Sequence, residues 1–259
     1  MKCYCYETNS ALVFCVEDVE NSQLEDVIQH MAWRKTGDKF LLSYPQSAFS
    51  NQHEKELVKS NFSRLGQVMF DSSLSGFDWK QPLQMLAQKF SKYRIEWYVV
   101  GSVGDALRGV DVKPSDIDIV IRTNDYDKAK EICYLNFPDS VIAPFTGCPE
   151  ISPSKFFDNP LEYFINPLTY FGRMFLAGAM IEVTADSAWN LESRQRGFRG
   201  FSNLISKYEK VSWKGYEIFL ESLQLRREVE IARNRMDRVK AIEEYMAHAV
   251  KVGRGTVFL

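Results

Sequence analysis

Histidine is scarce in this chain: three occur in 259 residues, His30, His53 and His248, and none stands in a ligand pattern. A histidine-based general base or zinc centre is therefore not expected. Cysteine is sparse and odd in number. Cys3, Cys5, Cys15, Cys133 and Cys148 are scattered, and Cys3-x-Cys5 has no second Cys/His pair at zinc-site spacing. Reduced thiols in a reducing compartment are expected rather than disulfides. Long apolar runs are missing too. The most apolar stretch, 174–181, is far too short to span a bilayer, and the N-terminus lacks the basic-then-apolar order of a signal peptide. A soluble, cytoplasmic chain with no membrane partner is expected. There is no excess of positive charge: Lys and Arg number 32 against 34 Asp and Glu, for a net charge of -2. Proteins that grip nucleic acid mainly through its phosphates usually carry a basic balance, so this weighs against, without excluding, an RNA or DNA substrate. Repeats and low-complexity blocks are absent. So are G-x-x-x-x-G-K-[ST] and G-x-G-x-x-G, which removes P-loop and dinucleotide-binding readings.

What is present is an ordinary globular composition, 45% hydrophobic and 25% charged, long enough for one large domain or two smaller ones. Strands are expected at 11–19 and 39–44, with helices at 23–31 and 54–68. The turn-forming cluster 71–78 then suggests a boundary closing a small N-terminal α/β unit of unknown role, 1–78. A central domain, 79–188, would hold a helix at 82–93, a strand at 96–100, a short helix at 103–108 closed by Gly109, a strand at 116–121 and a helix at 126–134 started by Asn124 and Asp125. The stretch 144–175 suggests loop plus hairpin, and 179–185 alternates as a strand. From about 187 onward the chain reads as helical, with long helices at 216–233 and 236–250, giving a C-terminal helical region over 189–259. The fold class expected is α/β (α+β), a mixed sheet with flanking helices.

The chemistry concentrates in 97–121. Asp116 and Asp118 stand two apart in a strand, so both carboxylates face one side while Ile117 and Ile119 face the other. Adjacent carboxylates repel unless a cation lies between them, and magnesium prefers such oxygen ligands while keeping positions open for phosphate. Upstream, a strand runs into Gly101-Ser102 and then a helix N-terminus. Glycine lets a phosphate approach the backbone, and the helix start favours negative charge. Ser102 with Asp105 also matches the capping pattern [ST]-x-x-[DE], a purely structural alternative. Each half is weak alone, and their occurrence in order across one helix is more specific. A further acid, Glu182, lies in the strand 179–185, sharing a face with Met180 and Thr184. Asp186 is its rival. Asp125-x-Asp127 is better explained as helix-start chemistry.

The Gly-Ser turn, short helix and Ser-Asp-Ile-Asp-Ile strand resemble the nucleotidyltransferase motif of the DNA polymerase β superfamily. The look is nearest to the aminoglycoside and lincosamide nucleotidyltransferases. The resemblance implies a nucleotidyltransferase-type mixed sheet and a site in which Gly101 and Ser102 hold nucleotide phosphates. It implies two magnesium ions on Asp116 and Asp118, with Glu182 or Asp186 as the third carboxylate, and an NTP, ATP by expectation, as co-substrate. The reaction implied is transfer of a nucleoside monophosphate to an acceptor hydroxyl. Modest size and net negative charge favour a small-molecule acceptor. Transfer to tRNA or another RNA, transfer to a protein in the manner of toxin-type enzymes, and non-catalytic nucleotide sensing stay open. For RNA there is a basic stretch, Arg194, Arg196, Arg199, Lys207, Lys210 and Lys214, interleaved with Phe198, Phe201, Tyr208 and Trp213. Against it, Gly104-Asp105 lacks the arginine found at that point in poly(A) polymerases and CCA-adding enzymes. The helices after the core, with Arg227, Arg233, Arg235 and Asp237, bear a looser resemblance to antibiotic-modifying enzymes. Those arginines either reach the triphosphate or line a solvated face beside Glu228 and Glu230.

Overall fold

The computed structural model describes residues 1–31, 33–146, 171–186 and 208–251. Among these the chain is a mixed α/β protein with two sheets. The first sheet is antiparallel. Strands β1 (Lys2–Glu7), β2 (Ala11–Glu17), β3 (Arg34–Thr36) and β4 (Lys39–Pro45) lie in the order β1-β2-β4-β3. Helix α1 (Ser22–His30) connects β2 to β3. Asn21 starts it by accepting from the amides of Gln23 at 2.9 Å and Leu24 at 3.3 Å. Strand β1 escapes a sequence reading because its alternating Cys3 and Cys5 are weak hydrophobic markers at a chain end.

Helix α2 (Gln52–Ser75), capped by Asn51, packs against β1 on one side and against β7 (Val141–Thr146) of the second sheet on the other. Asn61 fixes that second contact by donating to the carbonyls of Pro138 at 2.7 Å and Val141 at 2.9 Å. The turn expected over 71–78 does not begin until Gly76. Ser72 and Ser73 return their hydroxyls to the Met69 carbonyl at 2.8 and 3.1 Å, so the serines fold back into the helix instead of breaking it. Gly76, at φ 82°, ends it.

The second sheet carries the site. Its order is β10-β11-β5-β6-β9-β8-β7. The remaining strands are β5 (Trp97–Val100), β6 (Ile117–Ile121), β8 (Phe171–Leu176), β9 (Ala179–Ala185), β10 (Tyr208–Trp213) and β11 (Tyr216–Glu221). The β11–β5 and β6–β9 pairs are parallel and the others antiparallel. Helices α3 (Lys80–Tyr93), α4 (Gly101–Arg108) and α5 (Tyr126–Asn136) belong to this half, and α6 (Leu223–Ala232) and α7 (Met236–Lys251) pack together after it. The buried core is continuous, from Leu12, Phe14 and Phe40 through Phe62 and Phe70 of α2 to Val99, Ile119, Ile181 and Leu220.

The C-terminal part departs from the helical expectation. Residues 216–221, read as the start of a long helix, form β11, and helix begins only at Leu223. The missed cue is Lys214-Gly215, with φ of 49° and 83°, a two-residue hairpin turn written with lysine instead of the usual asparagine. Asp125 stands at the N-cap position of α5 as expected but makes no side-chain cap bond: its carboxylate accepts from the Glu96 amide at 3.2 Å, tying α5 to the entry of β5. The ends of 144–175 lie in the paired strands β7 and β8, while 147–170 lies outside the described residues, as do 187–207 with Arg194, Arg196, Phe198, Arg199, Phe201 and Lys207.

Candidate functional site

Strand register brings the candidate residues into one row. Val100, the last residue of β5, pairs with Asp118 on β6, Asp118 pairs with Glu182 on β9, and Glu182 pairs with Arg173 on β8. Laterally paired residues of a sheet point to the same face. Two apolar strands each present one acid at the same level, and Gly101 sits at the end of the row. Asp116, just before β6, completes an acidic cluster in which one oxygen from each of Asp116, Asp118 and Glu182 lies within 4.8 Å of the others. All three are half-buried.

The electrostatics of the cluster are those of a cation site. Burial pushes the Asp118 carboxyl well above the usual range, and the charges of Asp116 and Glu182 push it further, while Arg233 and Arg226 oppose. Burial also raises Glu182, with Arg173 opposing and Asp116 adding to the shift. Two carboxyls held back from ionising by burial, with the Asp116 carboxylate beside them and one oxygen of each residue gathered within 4.8 Å, match the donor set of a hard divalent cation.

Gly101 is required here by space and by conformation. Its φ is 70°, and a β-carbon on it would lie 2.5 Å from Asp118 Oδ2. The Gly101 N–H itself is engaged within the protein, donating to Glu221 Oε1 at 2.8 Å. The capping alternative for Ser102 fails, because α4 starts at Gly101 with no side-chain cap. Ser102 is buried in the first turn, and Asp105 is turned to a different task. Asp186, the rival third acid, lies four residues beyond Glu182, just past the end of β9, and accepts from the Thr123 amide at 2.9 Å and from the Thr123 hydroxyl. It is bound up in that turn and is not part of the cluster.

Behind the row lies an ionic network with no clear sequence signature. Arg226 of α6 is 2% exposed and donates to both Asp105 oxygens, with Nη2 to Oδ2 at 2.9 Å. Its Nε is 3.1 Å from Glu221 Oε1, and its Nη2 is 2.6 Å from Glu230 Oε1. The last contact is at ion-pair distance without hydrogen-bond angles, since neither Glu230 oxygen accepts a hydrogen bond. Arg108 adds Nε to Glu209 at 2.7 Å, Nη1 to the Gly104 carbonyl at 3.0 Å, and a bond to the Glu221 carbonyl. Helix α4 is thereby bolted to β10, β11 and α6. The reading of a solvated face holds for Glu228 but not for Glu230, which is fully buried. The i, i+4 spacing of Arg226 and Glu230 was the available signal, and it looks the same on an exposed helix. Arg227 faces outward and pairs with Glu243 at 2.7 Å. Arg233 follows Arg226 and Glu230 at i+7 and i+3, so it continues their face, and its charge is felt at both Asp118 and Glu182.

No protein-family model and no curated protein sequence matches the chain. Among solved structures it is similar to a candidate nucleotidyltransferase from Thermotoga maritima, at 17% identity and a TM-score of 0.42. That match covers 65% of this chain and 92% of the other. It is also similar to an antigenic nucleotidyltransferase-like protein from Paracoccidioides brasiliensis, at 14% identity and a TM-score of 0.40, over 63% of this chain and 74% of the other. Likeness of that degree carries no weight for activity, which has to come from the site itself.

Proposed function

We propose that this protein transfers a nucleoside monophosphate from a nucleoside triphosphate, ATP by expectation, to a hydroxyl of a small-molecule acceptor. Two magnesium ions would be held by Asp116, Asp118 and Glu182. The observation that carries the proposal is the pairing of Asp118 with Glu182 beside Gly101, where one oxygen each from Asp116, Asp118 and Glu182 converges within 4.8 Å near the start of a helix. When bound, magnesium neutralises phosphate charge and makes a hydroxyl easier to ionise.

The residues then divide the work. Asp116, Asp118 and Glu182 supply oxygen ligands on one face of the sheet. Ser102 and the amides that follow Gly101 in the first turn of α4 orient the phosphates. Gly101 leaves room for Asp118, and Glu221 fixes the Gly101 amide, so the turn is set before substrate arrives. Arg233, at the C-terminal end of α6 and close enough for its charge to act on Asp118 and Glu182, supplies positive charge toward the polyphosphate. Catalysis of this kind is placement and charge neutralisation, without a covalent role for the protein.

A small acceptor is favoured over RNA by charge. The chain is net negative. Two lysines of the basic stretch are also engaged internally, Lys210 with Glu217 at 2.5 Å and Lys214 with Gln84 at 2.8 Å. The test is transfer from α-labelled ATP in magnesium to aminoglycosides, lincosamides, total tRNA and proteins, with Asp116→Ala/Asp118→Ala alongside. Label on a small molecule with matching pyrophosphate release, absent in the variant, is expected. Label on RNA or protein would overturn the acceptor assignment. Failure of every acceptor together with no pyrophosphate release would count against transfer itself.

A further inference from the structure

Arg173 is the one member of the row that nucleotide chemistry does not call for. It stands opposite Glu182 on the neighbouring strand and is 2% exposed. Its Nε at 3.0 Å and its Nη2 at 2.5 Å both donate to the same oxygen, Glu182 Oε1. Its surroundings are otherwise mostly apolar and aromatic, with the Tyr44 hydroxyl and the Asp116 carboxylate near enough to act on its charge. It lines a small internal cavity with Phe14, Trp33 and Tyr44 from the N-terminal region, Phe62 from α2, and Ile142 and Ala143 from β7. A guanidinium in such a place is costly to bury unless an anion answers it, and a carboxylate beside two others is costly unless a cation answers it. The pair solves both problems with one contact, and side chains of the N-terminal region cover its arginine end.

From this we infer that Arg173 is the resident counter-cation of the site. It permanently occupies one oxygen of Glu182, holds that side chain level with Asp118, and limits the share of Glu182 charge open to a divalent cation. This rests on the reading of Asp116, Asp118 and Glu182 as a cation site. It also gives the N-terminal unit a task, since that unit walls off the arginine from solvent. Removing the charge at Arg173 leaves three carboxylates that a divalent cation then compensates more strongly.

The experiment compares wild type, Arg173→Met, Arg173→Lys and Arg173→Met/Glu182→Gln. Each is melted with and without Mn²⁺ and titrated with Mn²⁺ alone, following loss of the free-ion electron paramagnetic resonance signal. Arg173→Met should melt lower than wild type without metal, bind Mn²⁺ at least about tenfold tighter, and regain most of its midpoint when Mn²⁺ is added. Arg173→Lys should bind Mn²⁺ as wild type does. The double variant, which removes the pair as a pair, should melt near wild type without metal. Arg173→Met binding Mn²⁺ no tighter than wild type, with a midpoint that Mn²⁺ does not restore, would overturn the inference. If Arg173→Met does not fold, the double variant decides: recovery supports the counter-cation role, and failure reduces Arg173 to packing. Wild type that takes up no Mn²⁺ would instead sink the cation-site reading, while the melting of the double variant still reports on the pair.

Discussion

Gly101 shows how much one hydrogen atom in place of a methyl group can decide. Its left-handed backbone costs an ordinary residue about 1–2 kcal/mol, and the added carbon would meet Asp118 Oδ2 at 2.5 Å. Gly101→Ala is expected to lower stability by about 2 kcal/mol and to weaken magnesium–nucleotide binding by on the order of tenfold or more, read by thermal melting and by titration. Retained binding would mean that Asp118 is not held in place by this contact. At this scale the sequence is legible where the candidate residues stand close together along the chain. Gly101 and Ser102, Asp116 and Asp118 announce themselves by short spacing, and Glu182 by alternation within an apolar strand. Arg173, Glu221 and Arg226 do not, because each takes its meaning from a partner on another element. The Gly101 amide, for example, meets Glu221 across 120 positions of sequence. A residue's neighbours along the chain say little about that.

The elements were readable in proportion to the strength of their punctuation. Helix α1 begins at Ser22 and helix α2 at Gln52, close to the expected starts at 23 and 54, each behind an asparagine cap. The hairpin of β10 and β11 was hidden because β11 carries Ile218 and Leu220 inward with charged or aromatic residues between them, and then runs directly into the helical pattern of α6. Only the Lys214-Gly215 turn separates the two readings. That turn needs positive φ at both positions, which asparagine adopts more readily than lysine. Lys214→Asn is expected to stabilise the protein by roughly 0.5 kcal/mol, with the exposed bond to Gln84 a minor loss. Thermal melting checks this, and a clear fall in midpoint would contradict the turn assignment. The hairpin matters to the site because β11 delivers Glu221 to Gly101, and Arg108 holds Glu209 of β10.

For the molecule as a whole, the acids in and behind the site set a characteristic dependence on pH. Burial raises the Glu221 carboxyl from its ordinary 4.5 to about 7, against the pull of Arg226. The folded state therefore holds this proton more tightly than the unfolded chain does. Its contribution to stability is fully present below about pH 4.5 and is lost as pH rises through about 7. The metal-free protein is accordingly expected to melt at a higher temperature near pH 6 than near pH 8, and Glu221→Gln should flatten that difference. An unchanged slope in the variant would assign the effect elsewhere. The continuous core, running from Leu12 to Leu220, joins the N-terminal residues to the second sheet, a link between distant segments that no local pattern announces. Phe14, Trp33 and Tyr44 line the cavity beside Arg173, and such lining has no motif. The measurement that tests the central claim most directly is binding of a non-hydrolysable ATP analogue, with and without magnesium, to wild type and to Asp116→Asn/Asp118→Asn. Binding that requires magnesium in the wild type and is lost in the variant is the result this account predicts. Binding that ignores magnesium, survives in the variant, or is absent throughout would contradict it.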